Sequence, residues 1–385
     1  MEVLFVSHKY PPSTGGMEKQ CYELVKGIEK KCKTHQLIYD NKKNKLLFFL
    51  SLARNIKRIC RNNPRIQVIY FNDALIASFC SFLKLPKQVS CVVTLHGLDV
   101  VFPSKIYHKY IFSRLNRFHR IIAVSNATAQ KAIALGIKSE KLIVIPNGVD
   151  IPVSRDVSTE NLQDWLAAKQ IDLADRKLLM MMGRPVRRKG FVWFTKHVLP
   201  LLQDRFYVII VGPFHPKATF LEKFIYVLPK EFRNKIMLLT GYFSDERQLR
   251  KVVTQTANIK HVGHLPYSEI EMLLTKVDAF LMPNIVVDGD MEGFGLVCLE
   301  AAVHGSLVFA SNIDGIPDAI INKKNGLLLS PQNPQLWADK LIELARYPSA
   351  YEQYKLKYCQ YTKANYSWTR MVYDYYNVFI NLNRM

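Results

Sequence analysis

The stretch VLFVSHKYPPSTGGMEKQCYELVKGIEK, residues 3–30, indicates the architecture of the chain. It begins with a short apolar run and continues with the loop residues HKYPPSTGG. It ends in a pattern with apolar side chains at helical spacing, at Cys21, Leu24, Val25 and Ile28. The stretch therefore predicts a strand, a glycine-containing loop and a helix in direct succession.

The same alternation recurs along most of the chain. In the first half, helical stretches separate the β-like runs HQLIY, QVIYF, SCVVTL, RIIAVS and KLIVIP. After a break at NGVDIPVSRDVSTE, residues 147–160, the rhythm restarts with KLLMMMG, YVIIVG, IMLLTG, IKHVGH, DAFLMP and SLVFAS. Strands that alternate with helices are typical of a parallel, doubly wound sheet. The sequence thus predicts two α/β domains in series, joined near residues 150–175.

The composition excludes several classes of protein. With 385 residues the chain is too long for one ordinary domain, and 49% hydrophobic and 22% charged residues are ordinary values for a globular protein. The seven cysteines never occur as CxxC, which favours a reducing compartment over a disulfide framework or a zinc site. No apolar block approaches the roughly 20 residues that span a bilayer, and no signal-peptide pattern opens the chain. A cytoplasmic location is expected.

The charge is high and unevenly distributed. The formal net charge is +21, and residues 1–170 hold 26 Lys/Arg against 12 Asp/Glu. Such an excess suggests an anionic partner surface, either membrane or nucleic acid. The most basic segment includes KKNKLLFFLSLARNIKRICR, residues 42–61, whose apolar residues recur at helical spacing. It fits an interfacial helix on acidic lipid and, equally, a core-facing helix with a solvated basic face.

Loops that follow strands are the places to search for function, because open parallel sheets bind ligands beyond the carboxyl ends of their strands. Ser13-Thr14-Gly15-Gly16 joins the first predicted strand to the first helix. Paired glycines let backbone N–H groups approach an anion at a helix N-terminus. The spacing is neither GxGxxG nor that of a P-loop, and a tight turn explains the glycines as well.

The segment MMMGRPVRRKG, residues 180–190, follows the first predicted strand of the second half. Arg184 projects from the end of that strand, and Lys189 precedes a helical run. An arginine and a lysine in these places suit a diphosphate, which the arginine binds bidentately and the lysine attracts as a point charge. The alternative is that these basic side chains are solvent-exposed and bind nothing, in particular Arg187 and Arg188.

The stretch GDMEGFGLVCLE, residues 289–300, follows the predicted buried strand in DAFLMPN. Its GFG triplet presents backbone N–H groups at the start of a helix, a second site favourable to phosphate. Glu300 lies inside that helix, where it could accept hydrogen bonds from a sugar diol or face solvent. In a helix Glu292 and Glu300 would be about 12 Å apart, which is wide for the paired carboxylates of a hydrolase. A loop would shorten that distance.

Two further polar sites have competing explanations. Asp288-Gly289-Asp290 imitates a DxD metal-binding triad, but short acidic loops of this kind are common. His96, in VVTLHGLD, follows another predicted strand. It suits hydrogen bonding to a sugar or action as a base, while a structural role is at least as common for a lone histidine.

Taken together, these motifs resemble the retaining glycosyltransferases of family GT4, which have the GT-B fold of two facing Rossmann-like domains with an interdomain cleft. The resemblance runs through most of the chain in the family's order. Its segments are GGMEKQ, HGLD, AVSNAT, IPNGVD, GRPVRRKG, VGHLPYSEI, DAFLMPN, EGFGLVCLEAAVHG, DGIPDAI and NGLLL. The two glutamates, Glu292 and Glu300, with seven residues between them, are together with the Arg/Lys strand end its specific part. The resemblance implies an acceptor-binding domain at residues 1–170 and a nucleotide-sugar-binding domain at residues 171–365. It further implies that an aromatic C-terminal helix, residues 366–385, docks back on the first.

The resemblance also implies roles for individual residues. Arg184 and Lys189 would neutralise the donor diphosphate, and Glu300 would hold the ribose hydroxyls. Glu292 and His96 would contact the transferred sugar. Backbone contacts to sugar and phosphate would come from Gly16, Gly293, Phe294 and Gly295. Such enzymes need neither a dedicated nucleophile nor a divalent metal, so no cofactor is expected. Asp288 and Asp290 are then not expected to bind a metal.

The expected function is retaining, metal-independent transfer of a sugar from a UDP- or GDP-linked donor to a glycan or lipid-linked acceptor in cell-envelope polysaccharide synthesis. The basic first half suggests that this occurs at the inner membrane face. One alternative is another GT-B-fold enzyme, an epimerase or a phosphorylase, although the catalytic groups that either would need are not evident. The other alternative is a nucleic-acid-binding protein, but the sequence contains no recognisable nucleic-acid-binding motif.

Overall fold

A computed structural model describes residues 1–13, 15–40, 44–104, 107–152, 160–214 and 245–382. The chain divides into two units, each built on one parallel sheet. The first comprises Met1–Asp150, Met291–Leu296 and Asn365–Met385, and the second comprises Ile151–Asp290 and Val297–Ala364.

Each sheet has six strands, ordered β2-β1-β3-β4-β5-β6 in the first unit and β12-β11-β10-β7-β8-β9 in the second. The strands of the first sheet are β1 (Glu2–Ser7), β2 (Lys33–Ile38), β3 (Ile66–Phe71), β4 (Ser90–Leu95), β5 (Arg120–Ala123) and β6 (Leu142–Val144). Those of the second are β7 (Lys177–Met182), β8 (Phe206–Val211), β9 (Ile259–Gly263), β10 (Ala279–Met282), β11 (Val308–Ser311) and β12 (Leu327–Leu329). All neighbouring pairs are parallel.

Helices separate most of the strands, as parallel crossovers require. Up to residue 197 they are α1 (Gly16–Glu29), α2 (Lys45–Asn62), α3 (Ala74–Cys80), α4 (Leu98–Val101), α5 (Asn126–Ala134), α6 (Glu160–Ala168) and α7 (Phe191–His197). Further along are α8 (Glu246–Thr254), α9 (Tyr267–Lys276), α10 (Leu296–Val303), α11 (Ile316–Ala319), α12 (Pro334–Arg346), α13 (Pro348–Asn365) and α14 (Trp368–Leu382). Within the described residues no helix combines the length and the hydropathy needed to cross a membrane.

The prediction of two doubly wound parallel sheets is confirmed. Continuous apolar runs become strands buried on both faces, as in β1 and β8, where every residue is buried. The predicted run IMLLTG, residues 236–241, lies outside the described residues. The short edge strand β12 was missed, because three residues are too few for a periodic signal.

The predicted boundary at residue 170 is wrong. The division falls between Asp150 and Ile151, and α6 belongs to the second unit. Trp165 and Leu166 of that helix are buried in the core around Leu178. In addition, Trp165 Nε1 donates a hydrogen bond to Glu269 Oε2 at 2.6 Å. The sequence shows where the alternation of strands and helices is interrupted. It does not show which sheet the following helix, α6, packs against.

The C-terminal helix α14 packs on the first sheet. Its apolar face, including Tyr375 and Phe379, is buried with Phe5 and Tyr70 of β1 and β3. Gly27 of α1 makes room for this helix, since a Cβ there would come within 3 Å of the Val372 side chain. Hydrophobic burial of this face accounts for the strongly aromatic character of the tail.

Candidate active site

The strand orders locate the crevice of each sheet. In the first sheet β1 lies between β2 and β3, and in the second β7 lies between β8 and β10. The chain therefore reverses its direction of winding at β1 and at β7. Doubly wound sheets bind ligands beyond the carboxyl ends of the strands at such switch points. The residues that follow β1 and β3, and those that follow β7 and β10, are therefore the candidates.

Lys189 is buried at the switch point of the second sheet. After β7 the chain passes through Gly183 and the exposed Arg184 to a 3-10 turn, Arg187–Lys189, with Lys189 only 7% exposed. The Lys189 side chain returns to the strand end, because a Cβ at position 183 would lie 3.4 Å from its Cε and 3.9 Å from its Nζ. A buried ammonium group is costly unless anionic or polar groups surround it. The carboxyl end of β7 therefore carries fixed positive charge suited to an anion.

Gly190 joins this loop to the end of β10. It has a left-handed φ of 67°, which favours glycine. A Cβ at this position would also collide with the carbonyl oxygen of Pro283 and approach Ile285 Cγ2 to 3.2 Å. The glycine therefore allows the two strand ends of the switch point to approach closely.

We expect Gly190→Ala to destabilise the second unit more than Gly263→Ala does. Gly263 has a φ of 82°, and a Cβ added there would meet nothing within 4 Å, so alanine adds only backbone strain of about 1–2 kcal/mol. Gly190→Ala adds the collision with Pro283 and should lower the unfolding free energy by about 3 kcal/mol or more. Urea denaturation of the two variants measures the difference. Equal midpoints would show that the strand ends are not closely packed.

Asp290 has a structural partner, Arg188. Both carboxylate oxygens of Asp290 accept hydrogen bonds from Arg188 Nη1, at 3.2 and 3.1 Å, and both side chains are largely buried. Arg188 is therefore a partly buried, ion-paired side chain and not an exposed one without a partner. Among the residues that the structure describes, no group of three or more His, Cys, Asp or Glu side chains could hold a metal ion. The ion pair with Arg188 accounts for the second acid of the Asp-Gly-Asp triad.

Glu300 lies on α10, in the second unit. Its neighbours Cys298, Leu299 and Ala301 are buried, whereas Glu300 itself is half-buried. Its carbonyl oxygen accepts a hydrogen bond from His304 Nδ1 at 2.7 Å. A rigid helix thus holds the carboxylate at a partly accessible position. Arg184, Lys189 and Glu300 all belong to the second unit.

The segment before α10 belongs to the first unit. Met291 is buried in that unit's core, and the Phe294 ring lies 6.4 Å from that of Tyr366. Gly293 is in tight contact with the carbonyl group of His96, because a Cβ at position 293 would overlap its oxygen. The first unit therefore brings Glu292, Gly293, Phe294 and Gly295 to the turn after β4.

Gly16 is close to the same segment, since a Cβ there would lie 3.1 Å from Leu296 Cδ1. Glu292 is half-buried. The predicted site residues consequently form two groups. The group in the first unit consists of Gly16, His96, Glu292, Gly293, Phe294 and Gly295, and the group in the second consists of Arg184, Lys189 and Glu300.

His96 is held in one tautomer. Its Nε2 lies 2.8 Å from the carbonyl oxygen of Asn72, which only accepts hydrogen bonds, so Nε2 carries the proton. Burial lowers the pKa of His96 against the opposing effects of the Asn72 carbonyl and of Asp73. A neutral imidazole with this tautomer leaves Nδ1 as an acceptor, which is suited to a hydroxyl group.

Sequence reasoning missed a buried pair at the switch point of the first sheet. His8 Nδ1 lies 3.1 Å from Asp73 Oδ2, and the side chains are 5% and 2% exposed. Burial raises the pKa of Asp73, but the His8 imidazole, the backbone N–H of Ile76 and His96 together outweigh burial, and the pKa is lowered. His8 follows β1 and Asp73 follows β3, and their position directly after strands was the signal available in the sequence.

Asn284, directly after β10, was also missed. It is 1% exposed, and within the described part of the chain neither of its amide side-chain atoms has a hydrogen-bond partner. An unsatisfied buried amide is costly. Its place at the switch point of the second sheet is consistent with a polar ligand there.

Comparison with known families agrees with this architecture. The model of "Glycosyl transferases group 1" matches residues 164–358, which is about half of the chain. The model of "Glycosyltransferase Family 4" matches residues 14–152. The two matches together include both groups of predicted site residues.

Curated relatives match parts of the chain. The amylovoran biosynthesis glycosyltransferase AmsK of Erwinia amylovora is 33% identical over 112 residues, 28% of this chain and 28% of AmsK. A D-inositol 3-phosphate glycosyltransferase of Corynebacterium glutamicum is 33% identical over 213 residues, 53% of this chain and 43% of the relative. The matched region thus spans less than half the length of these relatives.

A solved structure matches nearly the whole fold. Anabaena Alr3699/HepE, in complex with UDP-glucose, superposes with a TM-score of 0.73 at 17% identity, covering 99% of this chain and 100% of that one. At this identity the likeness shows the fold alone. The chain therefore belongs to the glycosyl transferases group 1 family, and its two parallel-sheet units are those of the GT-B fold of family 4 glycosyltransferases.

Proposed function

We propose that the protein is a retaining glycosyltransferase that moves a sugar from a UDP- or GDP-linked donor to a glycan or lipid-linked acceptor in cell-envelope polysaccharide synthesis. Family membership supports the reaction class. AmsK is named for the biosynthesis of amylovoran, and the HepE structure contains UDP-glucose. The observation that carries the proposal is the buried ammonium group of Lys189 at the switch point of the second sheet.

In this proposal the second unit binds the donor nucleotide. Lys189 and Arg184 neutralise the diphosphate and stabilise the charge that develops on it as it departs, an effect that is usually a large part of catalysis. The unsatisfied amide of Asn284 supports a polar ligand beside them. Glu300, held on α10, accepts hydrogen bonds from the ribose hydroxyls.

The transferred sugar is bound by groups of the first unit. The neutral His96 accepts a hydrogen bond from a sugar hydroxyl through Nδ1, and Glu292 contacts the same sugar. Gly293 and Gly295 present their backbone without side chains that would obstruct sugar or phosphate. The tight contact between Gly293 and the turn after β4 supports a common role for these groups.

The reaction is a front-face displacement. The bond between the anomeric carbon and the phosphate oxygen breaks, and a bond to the acceptor oxygen forms on the same face. The acceptor proton passes to the departing phosphate oxygen, so the scheme uses neither an enzyme nucleophile nor a divalent metal. The engagement of Asp290 by Arg188 supports a structural role for the acidic triad.

A panel of UDP- and GDP-sugars tests the proposal by thermal unfolding. A ligand at 100 times its Kd should stabilise the native state by about 2.7 kcal/mol, so the melting temperature should rise with sugars of one nucleotide. Donor hydrolysis or transfer should persist in EDTA and retain the anomeric configuration. Loss of turnover in EDTA would refute the metal-free scheme, and an inverted product would refute retention.

A further inference from the structure

The first turns of α2 expose three leucines. Leu46, Leu47 and Leu50 are 65%, 62% and 67% exposed. Further along the same helix Leu52 and Ile56 are buried in the core of the first unit. The helix α2 therefore has a core-facing side and, at its beginning, a separate apolar surface that is exposed.

The helix α3 extends this apolar surface. It packs against α2, and the rings of Phe49 and Phe79 are 4.9 Å apart. Leu75 and Phe79 of α3 and Phe82 just after it are all exposed. We define the α2–α3 surface by its six exposed members, Leu46, Leu47, Leu50, Leu75, Phe79 and Phe82. Single exposed apolar residues are normal, but a group of this size on two packed helices marks an interaction site.

The charges around this surface are mostly positive. Residues 40–99 contain ten Lys/Arg and three acidic residues. Of the three acids, Asp73 is buried beside His8, Asp99 is half-buried and Asp40 is exposed. Lys45 and Arg54 on α2 and Lys84 after α3 are exposed. Arg114 lies over the Phe82 ring, with its Cζ 4.0 Å from the ring centre. The partner of the α2–α3 surface should therefore be apolar and bordered by negative charge.

We propose that the α2–α3 surface docks on a lipid bilayer with anionic headgroups. Exposed leucines and phenylalanines enter the boundary between headgroups and acyl chains, and the surrounding Lys and Arg side chains attract the anionic lipids. This combination of apolar centre and basic border is that of an interfacial membrane-binding helix. A second copy of the chain, with the same positive charges, would be repelled.

The surface leads to the switch point of the first sheet. The Phe49 ring, which contacts Phe79, lies 5.3 Å from the ring of His8, and His8 pairs with Asp73 at the end of β3. If the protein is a glycosyltransferase as proposed above, on which this step rests, the acceptor is amphiphilic. Its apolar part stays in the bilayer, while its polar head lies toward the carboxyl ends of β1 and β3.

Vesicle sedimentation tests the surface without any sugar chemistry. The full chain is mixed with vesicles of equimolar phosphatidylglycerol and phosphatidylcholine, and with phosphatidylcholine alone. We expect binding to the anionic vesicles that weakens about tenfold in Leu50→Gln, because one leucine no longer leaves water. Added salt should weaken it further, because it screens the basic residues.

Leu356→Gln is the matched control. Leu356 is 67% exposed, as Leu50 is, and lies between Lys355 and Lys357 on α13 of the second unit. It should bind vesicles as the wild type does. Phe82→Gln, at the other end of the α2–α3 surface, should repeat the loss seen with Leu50→Gln. Unchanged melting temperatures would show that the substitutions leave the fold intact.

Three results would overturn the proposal. They are no binding to anionic vesicles, equal binding by the Leu50 and Leu356 variants, and a dimer in sedimentation equilibrium that Leu50→Gln dissociates. The stabilisation by sugar nucleotides is measured on the same samples and should be the same in all variants. A protein that binds vesicles but no sugar nucleotide would contradict the proposed function and leave the docking surface standing.

Discussion

Lys189→Ala should lower kcat/KM by about 10²–10³-fold, the size seen when one group that stabilises developing negative charge is removed. Lys189 is buried, and its side chain returns over Gly183 to the carboxyl end of β7. Its charge therefore acts where water screens little. The stabilisation by sugar nucleotides should fall as well, because the ground-state diphosphate loses the same partner. Steady-state kinetics and thermal shifts measure the two effects.

Arg187→Ala is the control for Lys189→Ala. Arg187 lies on the same 3-10 turn but is exposed, so its removal takes away the same formal charge from a screened position. We expect kcat/KM to change by no more than about threefold, as for other solvent-screened charges. Losses of equal size in both variants would mean that general positive potential, and not the buried ammonium group, binds the donor.

The strands and their buried character were predictable because they depend on local sequence. A continuous apolar run such as DAFLMP is typical of a strand covered on both faces, and β10 lies within that run. The position of Lys189 shortly after β7 could also be predicted, because it is a local property of the sequence. The boundary at residue 170 failed for the opposite reason, since α6 is assigned by its packing against residues 100 positions away, such as Glu269.

Contacts between distant residues account for the parts of the site that the sequence did not reveal. His8 and Asp73 meet only because β1 and β3 are neighbours, an order that the alternation of strands and helices does not specify. The ion pair between Arg188 and Asp290 depends on the packing of the loop after β7 against the residues after β10. In each case the sequence shows the residue but not the distant residue that it contacts.

Glu300 and Glu292 are expected to have different roles, so their alanine variants should differ in their kinetic parameters. Glu300→Ala should raise KM for the donor about 10–100-fold, because a charged group's hydrogen bonds contribute about 1.5–3 kcal/mol and a ribose keeps them throughout the reaction. Glu292→Ala should lower kcat about 10²-fold with little change in KM, because its contact with the transferred sugar strengthens in the transition state. The structure supports different roles, because Glu300 lies on α10 of the second unit while Glu292 belongs to a segment of the first.

Asp288→Ala is the control, since Asp288 is an exposed acid in the same loop and its removal should leave both kinetic parameters near their wild-type values. A large loss in Asp288→Ala that Mn²⁺ partly restores would favour a metal-binding triad over the structural role of Asp290. Equal losses of kcat alone in the two glutamate variants would contradict the division of work. In that case both carboxylates would act on the reacting bond, and the separation of ribose and sugar contacts between α10 and the segment before it would be wrong.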